Sequence, residues 1–432
     1  MRLFFQSYIL PGLLLVTVSS KAQVTPKYAG TKTPYPTPVQ KYTPAPAGFK
    51  PVFVNHVGRH GSRFFTKAGS DQSVLAILDK AQKQKALTPL GQQLLGMTQR
   101  FVTIQKENYE NITGLGKEEQ ALIAKRMLSN YPDAFKGQGL EILATHKVRT
   151  QQSAAAFLTS FNNYKGNKQS TIVPDSLDTI LRFYDLSTVY QTYKKSAAVS
   201  EHIDSLLKDA KTVQMANAVC KRIFKPGFET EPIDFTIGLY DMYCGRFSIP
   251  EEMKQHSFTN KSIDFSIAFN TQQLQWLDFI NGAEDFYEKG AGRDTLGIQA
   301  TVAAPLLNDF INSTSAIVNH TKQEDAILRF THAEAISPFA TLLGIPQASV
   351  PAASVYQYNK HWSAAAIIPL SANIQWIVYS NGSDYLVKAL LNEREVSLPV
   401  PSFKGPYYRW KDVKDFYQQK LKSLEGDIRI AK

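Results

Sequence analysis

A short apolar run, Pro51-Val52-Phe53-Val54-Asn55-His56-Val57, leads straight into Gly58-Arg59-His60-Gly61-Ser62-Arg63. A segment with Val74, Leu75, Leu78 and Ala81 on one helical face follows. The β-branched content and shortness of the run predict a buried strand, and the later spacing predicts a helix. Gly58 and Gly61 permit a sharp bend and a close approach of backbone to a ligand. The pattern recurs twice. Leu140 to Thr145 reads as a strand, His146-Lys147-Val148-Arg149 as a basic loop, and Thr150 as the cap of a helix that starts at Gln151. Ala326 to Thr331 reads as a strand, followed by His332-Ala333-Glu334 and a helix with Pro338 in its first turns.

In open α/β sheets, ligands bind beyond the carboxyl ends of the parallel strands. If these three strands are parallel, Arg59, His60, Arg63, Arg149, His332 and Glu334 meet at one edge. Three guanidinium groups suit a phosphate dianion, whose oxygens they bind bidentately. An imidazole can attack phosphorus, and a carboxylic acid can protonate the leaving oxygen. Taken one at a time these residues have plainer readings: a basic loop is usually a solvated face, and His56 reads as a structural histidine. The spacing of His56 and His60 suggests two metal ligands, but the segment reads as strand and no third ligand is near, so no metal is expected. There is no Walker loop and no GxSxG elbow; Gly114-Leu115-Gly116-Lys117 lacks the length and the hydroxyl of the former.

The N-terminus reads as a signal peptide over residues 1–22. Arg2 is its positive end, Ile9 to Val18 its apolar stretch, and Ser20-Lys21-Ala22 its cleavage site. That stretch is too short to span a bilayer of ~30 Å, so no stable membrane insertion is expected. The mature chain is expected to start near Gln23 and to be exported, periplasmic or secreted. A Pro-rich arm, 23–50, leads into the fold. The 432 residues are 43% hydrophobic and 20% charged, a globular mixture that excludes a disordered chain, a collagen-like fibre and a multi-span membrane protein. The 48 Lys and Arg against 37 Asp and Glu give +11, which becomes +9 without Arg2 and Lys21. Such a charge favours small anionic partners; with no RNP-like motif among the aromatic residues, nucleic acid is not expected. Cys220 and Cys244 make one bridge or none.

Arg59-His60-Gly61-Ser62-Arg63 matches RHGxR, the signature of the histidine phosphatase superfamily. Thr66-Lys67 follows, as in the longer RHGxRxPTK pattern of the acid phosphatase and phytase branch, with Phe65 in place of the proline. Leu87-Thr88-Pro89-Leu90-Gly91 resembles that branch's next motif; its own residues read as scaffold, with Thr88 a helix cap, Pro89 at the first helical position, and Leu90, Leu94, Leu95 and Phe101 facing the core. Thr145 to Phe157 resembles the segment carrying a third phosphate-binding arginine. His332-Ala333-Glu334 resembles the HAE motif of the multiple inositol polyphosphate phosphatase family, where ordinary acid phosphatases carry HD. Leu181 to Asp185, Asp285 to Gly292 and Pro369 to Pro399 also resemble that family.

The resemblance implies an α/β fold, a histidine-phosphatase-like mixed central sheet flanked by helices, with an inserted, mainly α-helical cap domain. The α/β catalytic domain is expected over 51–175 and 319–432 and the cap over 176–318. Apolar spacing at Ile203, Leu206 and Leu207, and at Leu274, Leu277 and Ile280, agrees with helices there. Asn381-Gly382 between two apolar runs signals a hairpin, hence antiparallel members in the sheet. By the same resemblance His60 is the nucleophile, Arg59, Arg63 and Arg149 hold the phosphate, His332 donates another hydrogen bond to it, and Glu334 protonates the leaving oxygen. Thr66, Lys67 and Arg182 would bind substrate phosphates. Metal and cofactor are not implied. The implied activity is hydrolysis of inositol hexakisphosphate and lower inositol phosphates. A broad acid phosphatase of small phosphomonoesters is the alternative within the class, and a non-catalytic polyanion-binding protein the alternative outside it.

Overall fold

The computed structural model of the protein describes residues 26–38, 41–163 and 178–424. The leader read over 1–22 lies outside the described residues, as does 164–175, the end of the first α/β stretch.

Seven strands form one mixed sheet: β1 (Lys50–Arg59), β2 (Leu140–Ala144), β3 (Ala326–Thr331), β4 (Asn373–Ser380), β5 (Tyr385–Leu391), β6 (Arg394–Val396) and β7 (Tyr407–Arg409). Their order is β2-β3-β1-β4-β5-β6, and β7 pairs with β5. The three chemistry-bearing strands are therefore neighbours, and both of their pairings are parallel. Register decides what this achieves. Arg59 lies opposite Thr331, and Phe330 lies opposite both Gly58 and Ala144, so all three strands end flush at one edge. Every residue of β3 is buried, as a parallel strand covered on both faces requires.

β4 and β5 pair antiparallel through the expected hairpin. Its tip is a four-residue loop rather than a two-residue turn. Asn381 Oδ1 accepts from Ser383 N and Asp384 N at 3.0 and 2.7 Å, and Gly382 takes a positive φ of 99°.

Every named element between 178 and 318 is helical. The Thr271–Lys289 helix buries Leu274, Leu277 and Ile280, the stripe their spacing predicts, whereas the Ala197–Leu207 helix buries Leu206 and leaves Ile203 and Leu207 half-buried. The longer helix opens with a capping box of Asn270 and Gln273. These helices share one apolar core with two from earlier in the chain. Val74 of the Ser70–Lys83 helix packs where a Cβ on Gly238 would stand, 2.7 Å away. Thr88 accepts from Gly91 N at 3.1 Å to cap the Pro89–Gln105 helix, and its own N–H reaches Ile223 O of the Ala210–Ile223 helix at 3.0 Å. The Leu87–Gly91 motif is thus scaffold, as its residues predict. Cys220 and Cys244 are buried and unbridged.

The described part of the Pro-rich arm lies along the fold. Lys32 pairs with Asp241 at 2.6 Å, and Thr43 N donates to Glu395 at 2.9 Å. Among the described residues no helix is long and apolar enough to cross a membrane.

Candidate active site

β1 delivers Arg59 at its last position, and the ladder continues one residue further, with His60 N donating to Thr331 O at 3.0 Å. The chain then turns under the Gly114–Asn130 helix. A Cβ on Gly61 would meet Gly116 O at 2.5 Å, so this glycine is needed for close backbone approach rather than for a left-handed bend. The same helix supplies Glu119, whose carboxylate accepts from Ser62 N and Ser62 Oγ at 2.8 and 2.7 Å. The loop between Arg59 and Arg63 is thereby held from both its backbone and its side-chain side.

The second junction differs from its sequence reading. The helix starts at Val148, three residues before the expected Gln151, with Lys147 as its N-cap. Thr150 therefore lies inside the first turn, where its hydroxyl bonds back to Lys147 O at 2.7 Å, and Arg149 projects from a helix rather than a loop. Lys147 makes no side-chain capping bond, so Thr150 contributes here by bonding within the turn rather than by capping it. At the third junction the Ala333–Leu342 helix opens after His332, which puts Glu334 in the first turn and Pro338 in the helix interior.

Arg59, His60 and His332 are buried, and the two imidazoles meet edge to face with ring centroids 5.5 Å apart. His60 Nδ1 lies 3.0 Å from Gly61 O. A carbonyl only accepts, so the ring proton sits on Nδ1 and the Nε2 lone pair is free. Burial, and after it Arg59, Arg63, His332 and Arg149, hold His60 well below the usual imidazole range, so the ring is neutral. His332 is likewise pushed well below that range, by burial first and then by Arg149. Its Nε2 lies 3.1 Å from Thr145 Oγ1.

The guanidinium groups are incompletely paired. Arg59 Nη1 donates to Thr31 O and Ile368 O, at 2.8 and 2.5 Å, and Arg63 Nη1 to Phe64 O at 2.7 Å. The Nε atoms of Arg59, Arg63 and Arg149, and Nη1 of Arg149, are buried without a hydrogen-bond partner. Burial is the largest cause pulling all three below the usual arginine range, and for Arg63 the charges of the other two come next. A guanidinium does not give up its proton, so the cluster is a set of unsatisfied cationic donors shaped for an anion. Glu334 opens toward solvent, its side chain 35% exposed, and its Oε1 lies 3.9 Å from Lys289 Nζ. Desolvation pushes its carboxyl up, but Lys289, then His332, then its own backbone N–H and Arg59 outweigh this and hold it well below the usual carboxylate range.

The parallel sheet thus brings together Arg59, His60, Arg63, Arg149, His332 and Glu334. Arg182 stands beside them: it pairs with Asp185, its Nη1 reaches the His146 ring at 2.6 Å, and its charge is felt at His332. Thr66 and Lys67 are exposed on the loop beyond Phe65 and, among the described residues, share no hydrogen bond or ion pair with the cluster. His56 lies in the sheet core against Phe157 and Phe330, a structural residue.

Several residues at the site escaped sequence reasoning. Glu119, Thr31 and Thr145 reach it through contacts that no local pattern announces, and Tyr184 stands edge to face with His332 at 6.3 Å. For Tyr184 and Lys289 a signal existed, since Leu181 to Asp185 and Asp285 to Gly292 resemble the family's segments, though only Arg182 among their residues has an assigned role from the sequence.

A mixed sheet that gathers a neutral histidine and three arginines with unpartnered buried donors at its parallel strand ends, Arg149 also 3.9 Å from Glu110, is that of an α/β phosphatase. The chain belongs to the histidine phosphatase superfamily, branch 2, whose profile matches residues 52–392. Among solved structures it is similar to the Bifidobacterium longum multiple inositol polyphosphate phosphatase in complex with inositol hexasulfate, with a TM-score of 0.79, 21% identity, and coverage of 93% of this chain and 99% of that one. It is also similar to the phytase from D. castellii, with a TM-score of 0.70, 17% identity, and coverage of 91% and 85%. At these identities the likeness is one of fold. No protein of curated function matches the sequence.

Proposed function

We propose that the chain is an exported phosphomonoesterase that hydrolyses inositol polyphosphates through a phosphohistidine. One observation carries this: buried guanidinium donors without partners surround an imidazole whose Nε2 lone pair is free. Nε2 of His60 attacks phosphorus, the bond to the ester oxygen breaks, and that oxygen keeps the electron pair and takes a proton from the Glu334 carboxyl. The Glu334 carboxylate then takes a proton from water as its oxygen attacks phosphorus, and the departing pair returns to His60 Nε2. The products are an alcohol and inorganic phosphate. Arg59, Arg63, Arg149 and His332 stabilise the charge spread over the phosphoryl oxygens in both steps. His332 donates if Thr145 gives its hydroxyl hydrogen to Nε2, which sends the ring proton to Nδ1.

The substrate class rests on the HAE motif, on the net positive charge, and on a fold shared with a phosphatase that binds inositol hexasulfate. Thr66, Lys67 and Arg182 are the candidates for holding phosphates that do not react. The helices between 178 and 318 act as the cap, bringing Tyr184 and Lys289 to the strand ends. Export rests on the leader pattern of residues 1–22.

The test is phosphate release from inositol hexakisphosphate by protein starting at Gln23, with EDTA present, beside His60→Ala. Release that EDTA spares and the substitution abolishes is expected. Release from a simple aryl phosphate alone would make the protein a general acid phosphatase, and silence on both would leave a polyanion-binding protein.

A further inference from the structure

The Asp285–Gly292 motif puts a buried cation beside the leaving-group acid. Lys289 ends the Thr271–Lys289 helix, its side chain 9% exposed. Its Nζ bonds Asp285 Oδ1, one turn back, at 2.7 Å. Glu288 Oε2 and Glu334 Oε1 both stand 3.9 Å away, beyond hydrogen-bond reach, and Glu288 has a second cation in Lys194 at 3.3 Å. Lys289 is therefore clamped by Asp285 and presents its charge to Glu334 without binding it. The geometry differs from a simple ion pair, in which the ammonium would close on the carboxylate.

The other groups that act on Glu334 come from every neighbouring element. They are His332 beside it, Arg59 and Arg63 from the β1 loop, Arg149 from the Val148–Leu158 helix, and Tyr184 and Tyr190 from the helices after 182. Cations predominate in this set, and Lys289 is the strongest of those that favour the carboxylate. An acid so surrounded is a poor proton donor in the empty site. A phosphoryl dianion among the three arginines reverses the balance, because its charge repels the carboxylate.

We propose that Lys289, clamped by Asp285, is a positioning residue that keeps Glu334 ionised until a phosphoryl group enters the arginine cluster. The proton is then held by Glu334 only where an ester oxygen is present to receive it, and the same carboxylate is ready to take a proton from water in the second step. This rests on the reading of Glu334 as the leaving-group acid.

The experiment measures kcat against pH on inositol hexakisphosphate, an alkyl phosphate whose leaving oxygen needs a proton, and on an aryl phosphate with an activated leaving group. The variants are Lys289→Gln with Asp285→Asn, which keeps a hydrogen bond across the turn without the charges, Lys289→Arg, and Glu334→Gln. An opposite charge at this distance lowers a carboxyl by about 1–3 units, so the double variant moves the alkaline limb on the alkyl ester upward by about one unit or more. Lys289→Arg keeps the limb in place, and the activated ester responds little. If the double variant does not fold, Lys289→Met carries the same expectation. An alkaline limb left unmoved by loss of the charge, while Glu334→Gln removes it, overturns the role of Lys289 alone. A Glu334→Gln protein with unchanged turnover of the alkyl ester overturns the reading of Glu334 itself, and this inference with it.

Discussion

Glu119 is the group through which the Arg59–Arg63 loop, the N-terminal arm and the segment before β4 are joined. It is buried, and its oxygens accept four hydrogen bonds: Oε1 from Tyr35 N and Ser62 Oγ, at 2.8 and 2.7 Å, and Oε2 from Ser62 N and Ser371 Oγ, both at 2.8 Å. Burial nonetheless pushes its carboxyl upward, against all four donors, so acceptor count rather than charge is what the site needs. Glu119→Gln isolates that count. In either amide orientation one nitrogen faces a backbone N–H, Ser62 in one and Tyr35 in the other, and a buried donor without an acceptor costs about 1–3 kcal/mol. Glu119→Ala strands both, roughly twice that cost, while the serine hydroxyls can rotate to other partners. Denaturant unfolding read as a free energy is expected to follow this order: wild type, then Gln, then Ala. Because Ser62 sits between Gly61 and Arg63, the loop also loses its register. A displacement near 1 Å at a reacting group costs up to ~100-fold, so kcat/KM for phosphate release is expected to fall by about tenfold in the glutamine variant and further in the alanine variant. Unfolding free energy of Glu119→Ala within about 0.5 kcal/mol of wild type, with unchanged kcat/KM, would refute this reasoning and leave the Gly61–Gly116 contact as the anchor of the loop.

Thr145→Val removes the hydroxyl that faces His332 Nε2; the loss of one hydrogen bond predicts a fall in kcat of about tenfold, restored by Thr145→Ser, and steady-state kinetics on both variants checks it. Gly116→Ala would drive a Cβ into the Ser62 backbone, which cannot yield without moving the loop; a destabilisation of about 1–3 kcal/mol is expected from overpacking, and an unchanged thermal midpoint would contradict the contact. His56, pushed down to about 3 by burial and then by Arg329, is neutral in the fold but protonates in the unfolded chain near 6.5. The unfolded state therefore binds the extra proton, and stability falls as pH drops from about 6.5 to about 3, by about 1.4 kcal/mol per unit for this one group. His56→Leu removes that contribution, so its unfolding free energy measured across this window should slope less steeply than that of wild type, and an identical slope would contradict the assignment.

The parts of the site that the sequence made legible are those whose signals are local. The first strand announced itself by a β-branched apolar run, the helices after the three strands by apolar spacing, a cap residue or an early proline, and the polar residues between made Arg59, His60, Arg63, Arg149, His332 and Glu334 candidates from the sequence, which the fold then brings together. Thr88 as a cap, and the Leu274-Leu277-Ile280 stripe, were readable for the same reason: caps and stripes are formed by residues within one or two turns. Where local signals competed the boundary slipped, as at Thr150, a residue able either to cap a helix or to bond within its first turn.

What the tertiary structure decided is everything that depends on which strands pair and which faces meet. Parallel pairing of β1 and β2 with β3 at one register brings three junctions, far apart in the chain, to a single edge. Packing then adds groups with no sequence mark of their own: Glu119 from 57 positions beyond Ser62, Thr31 from the arm to Arg59, and Ser153 Oγ, which accepts from Gly61 N at 3.0 Å. The tautomer of His60 is set by its contact with the Gly61 carbonyl, and the ionisation of Glu334 by a lysine 45 residues before it. Local sequence governs local backbone because those energies act within a turn or two. Charge and burial act across space, and only the fold determines which groups lie within reach of one another.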